Sequence, residues 1–148
     1  MKNPDGFRAA LKRGSKLAEA MAVAADMLNA TIKQAEEAIT ALKLGVSAGI
    51  LINEPEQEGF EQILGFRKDG GRWRLQIESG PLNAGDPADW TVNPLVNCSR
   101  ETRVRAVGAL PALVERLVEV GEQQLQDVLD ATQFASNFAA TISDGGKK

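Results

Sequence analysis

A helical pattern that is too long for a compact domain dominates the first third of the chain. From residue 7 to residue 42, apolar and small residues recur at alternating spacings of four and three, which places them on one face of an α-helix. The members of this seam are Phe7, Leu11, Gly14, Ala18, Met21, Ala25, Leu28, Ile32, Ala35, Ile39 and Leu42. A helix over about 7–44 would be about 57 Å long at 1.5 Å per residue.

A compact chain of 148 residues is only about 40 Å across. The helix therefore either breaks near Gly14 and Ser15 or extends beyond the domain. In an overhanging helix the seam would be an exposed apolar stripe, and a second protein usually covers such a stripe. We therefore predict that four seam residues bind a partner, which we expect to be another protein or a second copy in a homodimer: Met21, Leu28, Ile32 and Ile39. The alternative is that the C-terminal helix runs antiparallel to the first helix and covers the seam within the chain.

The next part of the chain predicts an antiparallel sheet over about 46–79. Residues 46–52 form a short apolar run between Gly45 and a turn-forming segment, which is typical of a buried strand. Residues 61–79 contain two runs of alternating polarity around Asp69 and Gly70, a dipeptide that favours a tight hairpin turn. The alternation puts one set of residues on the core face, with Phe66 opposite Trp73: Leu64, Phe66, Trp73, Leu75 and Ile77. A turn at Gly70 and Gly71 would shift the pairing but keep the same face inward.

The remainder of the chain predicts an irregular connection and two C-terminal helices. Residues 80–98 contain three prolines and show little periodicity. Ser99 is a good N-cap for a helix that Gly108 and Pro111 would interrupt, so we expect a short and then a long helix over about 100–140, with a frayed tail at 141–148. The fold prediction is a single α+β domain over 1–148 with three strands, in the order α-β-β-β-α-α.

Composition narrows the chemistry that the chain can perform. It has no histidine, which removes the commonest general base and the commonest metal ligand. Its only cysteine, Cys98, cannot form an intrachain disulfide, so we expect a cytoplasmic protein. The chain has no apolar run long enough to span a bilayer. No catalytic, metal-binding or cofactor-binding motif is recognisable, so we expect a protein that is not an enzyme and has no cofactor.

Two groups of arginines are candidate anion-binding residues. One group lies in the predicted hairpin around Trp73, at 67–74, and the other begins the predicted C-terminal helix, at 100–105. The candidates are Arg67, Arg72, Arg74, Arg100 and Arg103. Nucleic-acid binding would require both groups to share one exposed surface. The alternative for the second group is ion pairing with the acidic residues Glu54, Glu56 and Glu58 within the chain.

These features favour a non-catalytic interaction or adaptor protein that acts through helical surfaces as a homodimer. A nucleic-acid-associated protein that uses the two arginine groups is the alternative, although the net charge of −3 argues against a general affinity for nucleic acid.

Overall fold

The computed structural model describes residues 4–83 and 86–146. Within these residues it contains three α-helices, two single-turn 3-10 helices and one antiparallel sheet of four strands in the order β1-β2-β3-β4. The helices are α1 (Pro4–Ala41), α2 (Pro55–Glu58) and α3 (Arg100–Gly145), and the strands are β1 (Ala48–Leu51), β2 (Phe60–Asp69), β3 (Arg72–Pro81) and β4 (Thr91–Pro94). This architecture confirms the predicted α+β class, with long helices before and after the sheet.

The hairpin between β2 and β3 turns at Gly70 and Gly71, not at the predicted Asp69 and Gly70. Both glycines have positive φ, at 57° and 83°, which a two-residue type I′ turn requires and which glycine adopts without strain. The register is therefore shifted by two residues, and Phe66 lies opposite Leu75 instead of Trp73. Because side chains alternate with a period of two, the shift leaves the predicted core face unchanged.

The core lies between this face of the sheet and the two long helices. Leu64, Phe66, Leu75 and Ile77 are buried, and Trp73 is half-buried, with its ring stacked on that of Phe66 at a centroid distance of 5.3 Å. The helices and the segment that precedes α3 complete the core with Ile32, Ile39, Leu95, Ala106, Leu113 and Leu117. The predicted core residues thus pack together, as the alternation indicates.

The sheet has a fourth strand where the sequence predicts only an irregular connection. β4 pairs with the second half of β3, where Gln76 lies opposite Pro94 and Ser79 opposite Thr91. It covers a backbone edge that would otherwise be unpaired. The first half of β3 extends beyond β4, and there the Leu75 backbone N–H donates to Glu36 Oε2 of α1 at 2.8 Å. The strand β4 and the side chain of Glu36 therefore both provide hydrogen-bond partners for this edge of β3.

The C-terminal region is one helix, so the predicted division into a short and a long helix is wrong. Ser99 caps α3 as predicted, accepting a hydrogen bond from the Thr102 backbone N–H at 3.2 Å. Pro111 lies inside α3, where a proline costs about 3 kcal/mol. Leu113 and Leu117 follow it and are fully buried, and each such burial contributes about 2 to 3 kcal/mol, which offsets that cost. The predicted frayed tail is also helical as far as Gly145, while residues 147–148 lie outside the described residues.

Candidate interaction surface

The N-terminal part of α1 lies outside the packed domain. Every residue from 4 to 24 is exposed, whereas Ile32 and Ile39 further along the same helix are only 1% and 7% exposed. We call residues 4–24 the α1 arm. It extends about 31 Å at 1.5 Å per residue, so the predicted helix overhangs the domain and does not break near Gly14.

The apolar seam continues along the α1 arm on the face that packs into the core further along. Phe7, Leu11 and Met21 occupy seam positions and are exposed, Leu11 to 57%. Leu17 adjoins the seam and is exposed as well. The space beside Gly14 is open, since a Cβ atom built there would meet no atom within 4 Å. The arm thus presents an uncovered apolar stripe, which marks an interaction surface more often than a solvated one.

The C-terminal part of α3 forms a second arm. Every residue from 122 to 146 is exposed, and we call this segment the α3 arm. It extends about 37 Å. Its exposed large apolar side chains are Leu125, Val128, Leu129, Phe134, Phe138 and Ile142. Phe134 is 73% exposed, and its ring stacks on that of Phe138 at a centroid distance of 6.4 Å.

The sequence prediction assigned partner binding to the first helix alone and missed the α3 arm. A signal for it exists, because residues from 118 to 142 also alternate at spacings of three and four. They are Val118, Gly121, Leu125, Val128, Thr132, Ala135, Ala139 and Ile142. Several of them are small or polar, so the pattern is weaker than the seam of the first helix.

The two arms leave the domain at opposite ends. Asn29 of α1 lies beside Arg103 near the start of α3, where Arg103 Nη1 donates to Asn29 Oδ1 at 2.6 Å. Leu44, just after α1, lies beside Gly121, since a Cβ atom at this glycine would be 3.9 Å from Leu44 Cδ2. Both helices therefore run in the same direction across the sheet, so the predicted alternative, an antiparallel C-terminal helix that covers the seam, is wrong.

The arms carry opposite charges. The basic side chains of the α1 arm are Arg8, Lys12, Arg13 and Lys16, and its acidic ones are Asp5 and Glu19. The α3 arm has no basic residue, and its carboxylates are those of Glu122, Asp127, Asp130 and Asp144. Across residues 4–83 and 86–146, none of these arm charges takes part in an ion pair.

The four predicted partner-binding residues do not share one environment. Met21 lies on the α1 arm and is exposed, whereas Leu28 is half-buried at the base of the arm. Ile32 and Ile39 belong to the core that the chain forms with its own sheet and α3. Met21 is therefore the only one of the four that lies fully on the exposed surface. The exposed apolar stripe extends from Met21 toward the N-terminus.

Of the hairpin arginines, Arg67 lies on the sheet face that is turned away from the helices, whereas Arg72 and Arg74 line an open groove with Glu36 and Glu37 of α1. Arg67 and Arg74 are cross-strand partners with side-chain parity opposite to the core residues. Arg67 Nε donates to Glu78 Oε1 at 2.5 Å, and the Arg67 side chain lies over Gly49 and Gly65. This arginine therefore already has a carboxylate partner and covers the sheet surface. Arg72, next to the turn, is exposed.

The arginines at the start of α3 are not brought together into an anion clamp. Arg100 is exposed, whereas Arg103 is 8% exposed and its contact is the interhelical one with Asn29. Arg105 Nη2 lies 3.2 Å from Glu58 Oε1, so the predicted intrachain ion pairing holds for this arginine. Arg105 also donates to Gln62 Oε1 at 3.0 Å.

The two arginine groups do not share one exposed surface. Gln62 and Arg67 are five residues apart along β2, about 17 Å at 3.3 Å per residue. The groups also face different sides, since Arg103 points between the helices and Arg67 lies on the far face of the sheet. The surface that nucleic-acid binding would require is therefore interrupted.

An open cleft of about 520 Å³ lies between the β1–α2 segment and α3. Its charged groups include the paired Glu58 and Arg105. Hydrogen bonding by Asn53, ahead of the charge of Arg105, lowers the pKa of Glu58 from its ordinary value, which keeps this carboxylate ionised and paired.

Cys98 has the environment of a structural thiol. It is half-buried, and its Sγ donates to the Pro94 carbonyl oxygen at 3.4 Å. Burial raises the pKa of the Cys98 thiol, although the nearby charge of Arg103 acts in the opposite direction. A raised pKa disfavours the thiolate, which is the nucleophilic form.

No helix in the described part of the chain is long and apolar enough to cross a membrane. Comparisons of the chain with protein-family models, with curated proteins and with solved structures find no match.

Proposed function

We propose that the protein is a non-catalytic interaction protein that self-associates through its two helical arms. The observation that carries this proposal is that two long helices project from one small domain with apolar stripes uncovered. A chain that served only to form the sheet domain would need neither arm.

Energetics supports a partner for the arms. Most helices in proteins depend on packing of an apolar face for their stability, and the described chain provides no such packing for either arm. Full burial of a Leu, Val, Phe or Met side chain contributes about 1.5 to 3 kcal/mol. Eleven such side chains are available, five on the α1 arm and six on the α3 arm. Burial of this set on both copies of a dimer is of the same order as, or larger than, the association cost of roughly 4 to 15 kcal/mol.

The described residues provide less support for a catalytic function than for an interaction function. The open cleft has a carboxylate and a guanidinium that neutralise each other, and burial raises the pKa of the Cys98 thiol, which disfavours the nucleophilic thiolate. We expect the protein in the cytoplasm, where a single unpaired cysteine remains reduced.

Light scattering coupled to size exclusion tests self-association. At tens of micromolar we expect a mass of twice the chain mass of 15.8 kDa. Replacing Leu125 and Leu129 of the α3 arm by Ser should shift the distribution toward monomer, because the replacements remove apolar area from the interface. The matched control is Val92→Ser with Val104→Ser, since both valines are exposed but lie outside the arms. A monomeric mass for the unaltered protein, or equal effects of the two variants, would contradict the proposal.

A further inference from the structure

The uncovered arms raise the question of which surfaces pair when two copies meet. We infer that the α1 arm of one copy packs along the α3 arm of the second copy, in a closed twofold dimer. This inference rests on the proposed self-association and specifies its pairing.

The arms of one chain cannot reach each other. α1 and α3 run side by side in the same direction, with Asn29 beside Arg103 and Leu44 beside Gly121. The α1 arm ends at residue 24 and the α3 arm begins at residue 122, next to the level of Leu44. These points are separated by about 20 residues of helix, or about 30 Å along the axis. Any contact between the two arms is therefore a contact between copies.

Charge complementarity favours unlike arms over like arms. The α1 arm has four basic side chains against two carboxylates, and the α3 arm has four carboxylates with no basic residue. Gln123 and Gln126 donate to Asp127 and Asp130 at 3.0 and 2.8 Å, so these carboxylates are held on the arm surface without a counter-charge. Pairing two α3 arms would bring eight carboxylates together, and juxtaposed like charges cost several kcal/mol. Pairing unlike arms brings opposite charges together instead.

Arm geometry permits a closed arrangement. Because the arms project from opposite ends, a second copy turned end for end places its α3 arm beside the first copy's α1 arm, and its α1 arm beside the first copy's α3 arm. The arms match in length, at about 31 and 37 Å. Both arms of both copies are then covered by two equivalent contacts, as twofold symmetry requires.

Two charge-reversal variants of the full chain test the pairing. The first has Arg8, Lys12, Arg13 and Lys16 replaced by Glu, and the second has Glu122, Asp127, Asp130 and Asp144 replaced by Lys. In the unlike-arm dimer each variant alone has arms of one sign, so its dissociation constant should rise at least about tenfold. Combined in one chain, the two sets of replacements should restore the dimer, because each α1 arm then again meets an α3 arm of opposite charge, whereas two like arms would still repel each other. Light scattering and native mass spectrometry measure both results.

A matched control reverses the same number of exposed carboxylates outside the arms, in the variant Glu37→Lys, Glu54→Lys, Glu56→Lys and Glu115→Lys. It should dimerise as the unaltered protein does. Circular dichroism establishes that each variant retains its helix. The smaller pairs Lys12→Glu with Lys16→Glu, and Asp127→Lys with Asp130→Lys, repeat the test with less perturbation.

The outcomes separate the two proposals. If the unaltered protein is monomeric, self-association itself is wrong. If it is dimeric but each single-arm variant remains dimeric, or the chain with both arms reversed does not regain the dimer mass, the interface is not the unlike-arm pairing, while self-association stands. A concentration-dependent ladder of larger species would overturn the closed arrangement, because head-to-tail pairing of the same arms forms open chains.

Discussion

The two halves of α1 have the same apolar periodicity and opposite surroundings. The seam passes without interruption from the exposed Leu11 to the buried Ile32, and the helix is continuous between them. Ile32 is covered because the sheet and α3 lie against that part of the helix, whereas the described chain supplies nothing opposite Leu11. A seam therefore identifies the face that will be covered, and only its neighbours decide which molecule covers it.

The largest expected difference between the two halves of α1 is in the loss of stability when a seam residue in each half is replaced by Asp. Ile32→Asp places an unpaired carboxylate in the core and should destabilise the domain by about 3 to 5 kcal/mol. Leu11→Asp, at a dilution where the protein is monomeric, should change the free energy of unfolding by less than about 0.5 kcal/mol. Urea unfolding followed by circular dichroism measures both. Similar losses at the two positions would show that the α1 arm is covered within the chain.

The hairpin offers a second comparison, between a buried and a half-buried aromatic residue in one stack. Phe66→Ala should cost about 3 to 5 kcal/mol, as for other large deletions from a core. Trp73→Ala should cost less, about 2 to 3 kcal/mol, because the indole is only half-buried. The unfolding free energies of the two variants test the order. A larger loss for Trp73 would mean that the indole is more deeply packed than Phe66.

A smaller effect is expected at the hydrogen bond that joins the packed halves of α1 and α3. Asn29→Ala removes the only side-chain acceptor that the described residues provide for the buried Arg103, which should cost about 1 to 3 kcal/mol. Arg103→Met should cost less, since it removes the buried charge while retaining much of the volume. The double variant completes a thermodynamic cycle. Additive losses would show that the two side chains do not interact in solution.

A small stabilising effect is expected in the α1 arm at Gly14. No atom lies within 4 Å of a Cβ built there, and glycine in an exposed helix is less favourable than alanine by about 0.5 to 1 kcal/mol. Gly14→Ala should therefore make the α1 arm of the dilute monomer lose slightly less of its helical signal on heating. Thermal melts followed by circular dichroism at several concentrations measure it. A loss of helix at low concentration would contradict the open surroundings of this residue.

Patterns of local spacing determined much of this protein in advance. The long first helix, the hairpin with its core face, the helix cap at Ser99 and the α+β class follow from periodicities and turn preferences that neighbouring residues create among themselves. The absence of histidine likewise limits the available chemistry without reference to any fold.

Tertiary contacts decided the rest. β4 forms because the edge of β3 lies beside it, and α3 continues through Pro111 because Leu113 and Leu117 enter the same core as Ala106. The separation of one seam into a buried half and an exposed arm depends on where the sheet ends, as does the position of the α3 arm at the opposite end of the domain. Such properties depend on residues far apart in the chain, so local spacing alone does not determine which part of a helix is covered.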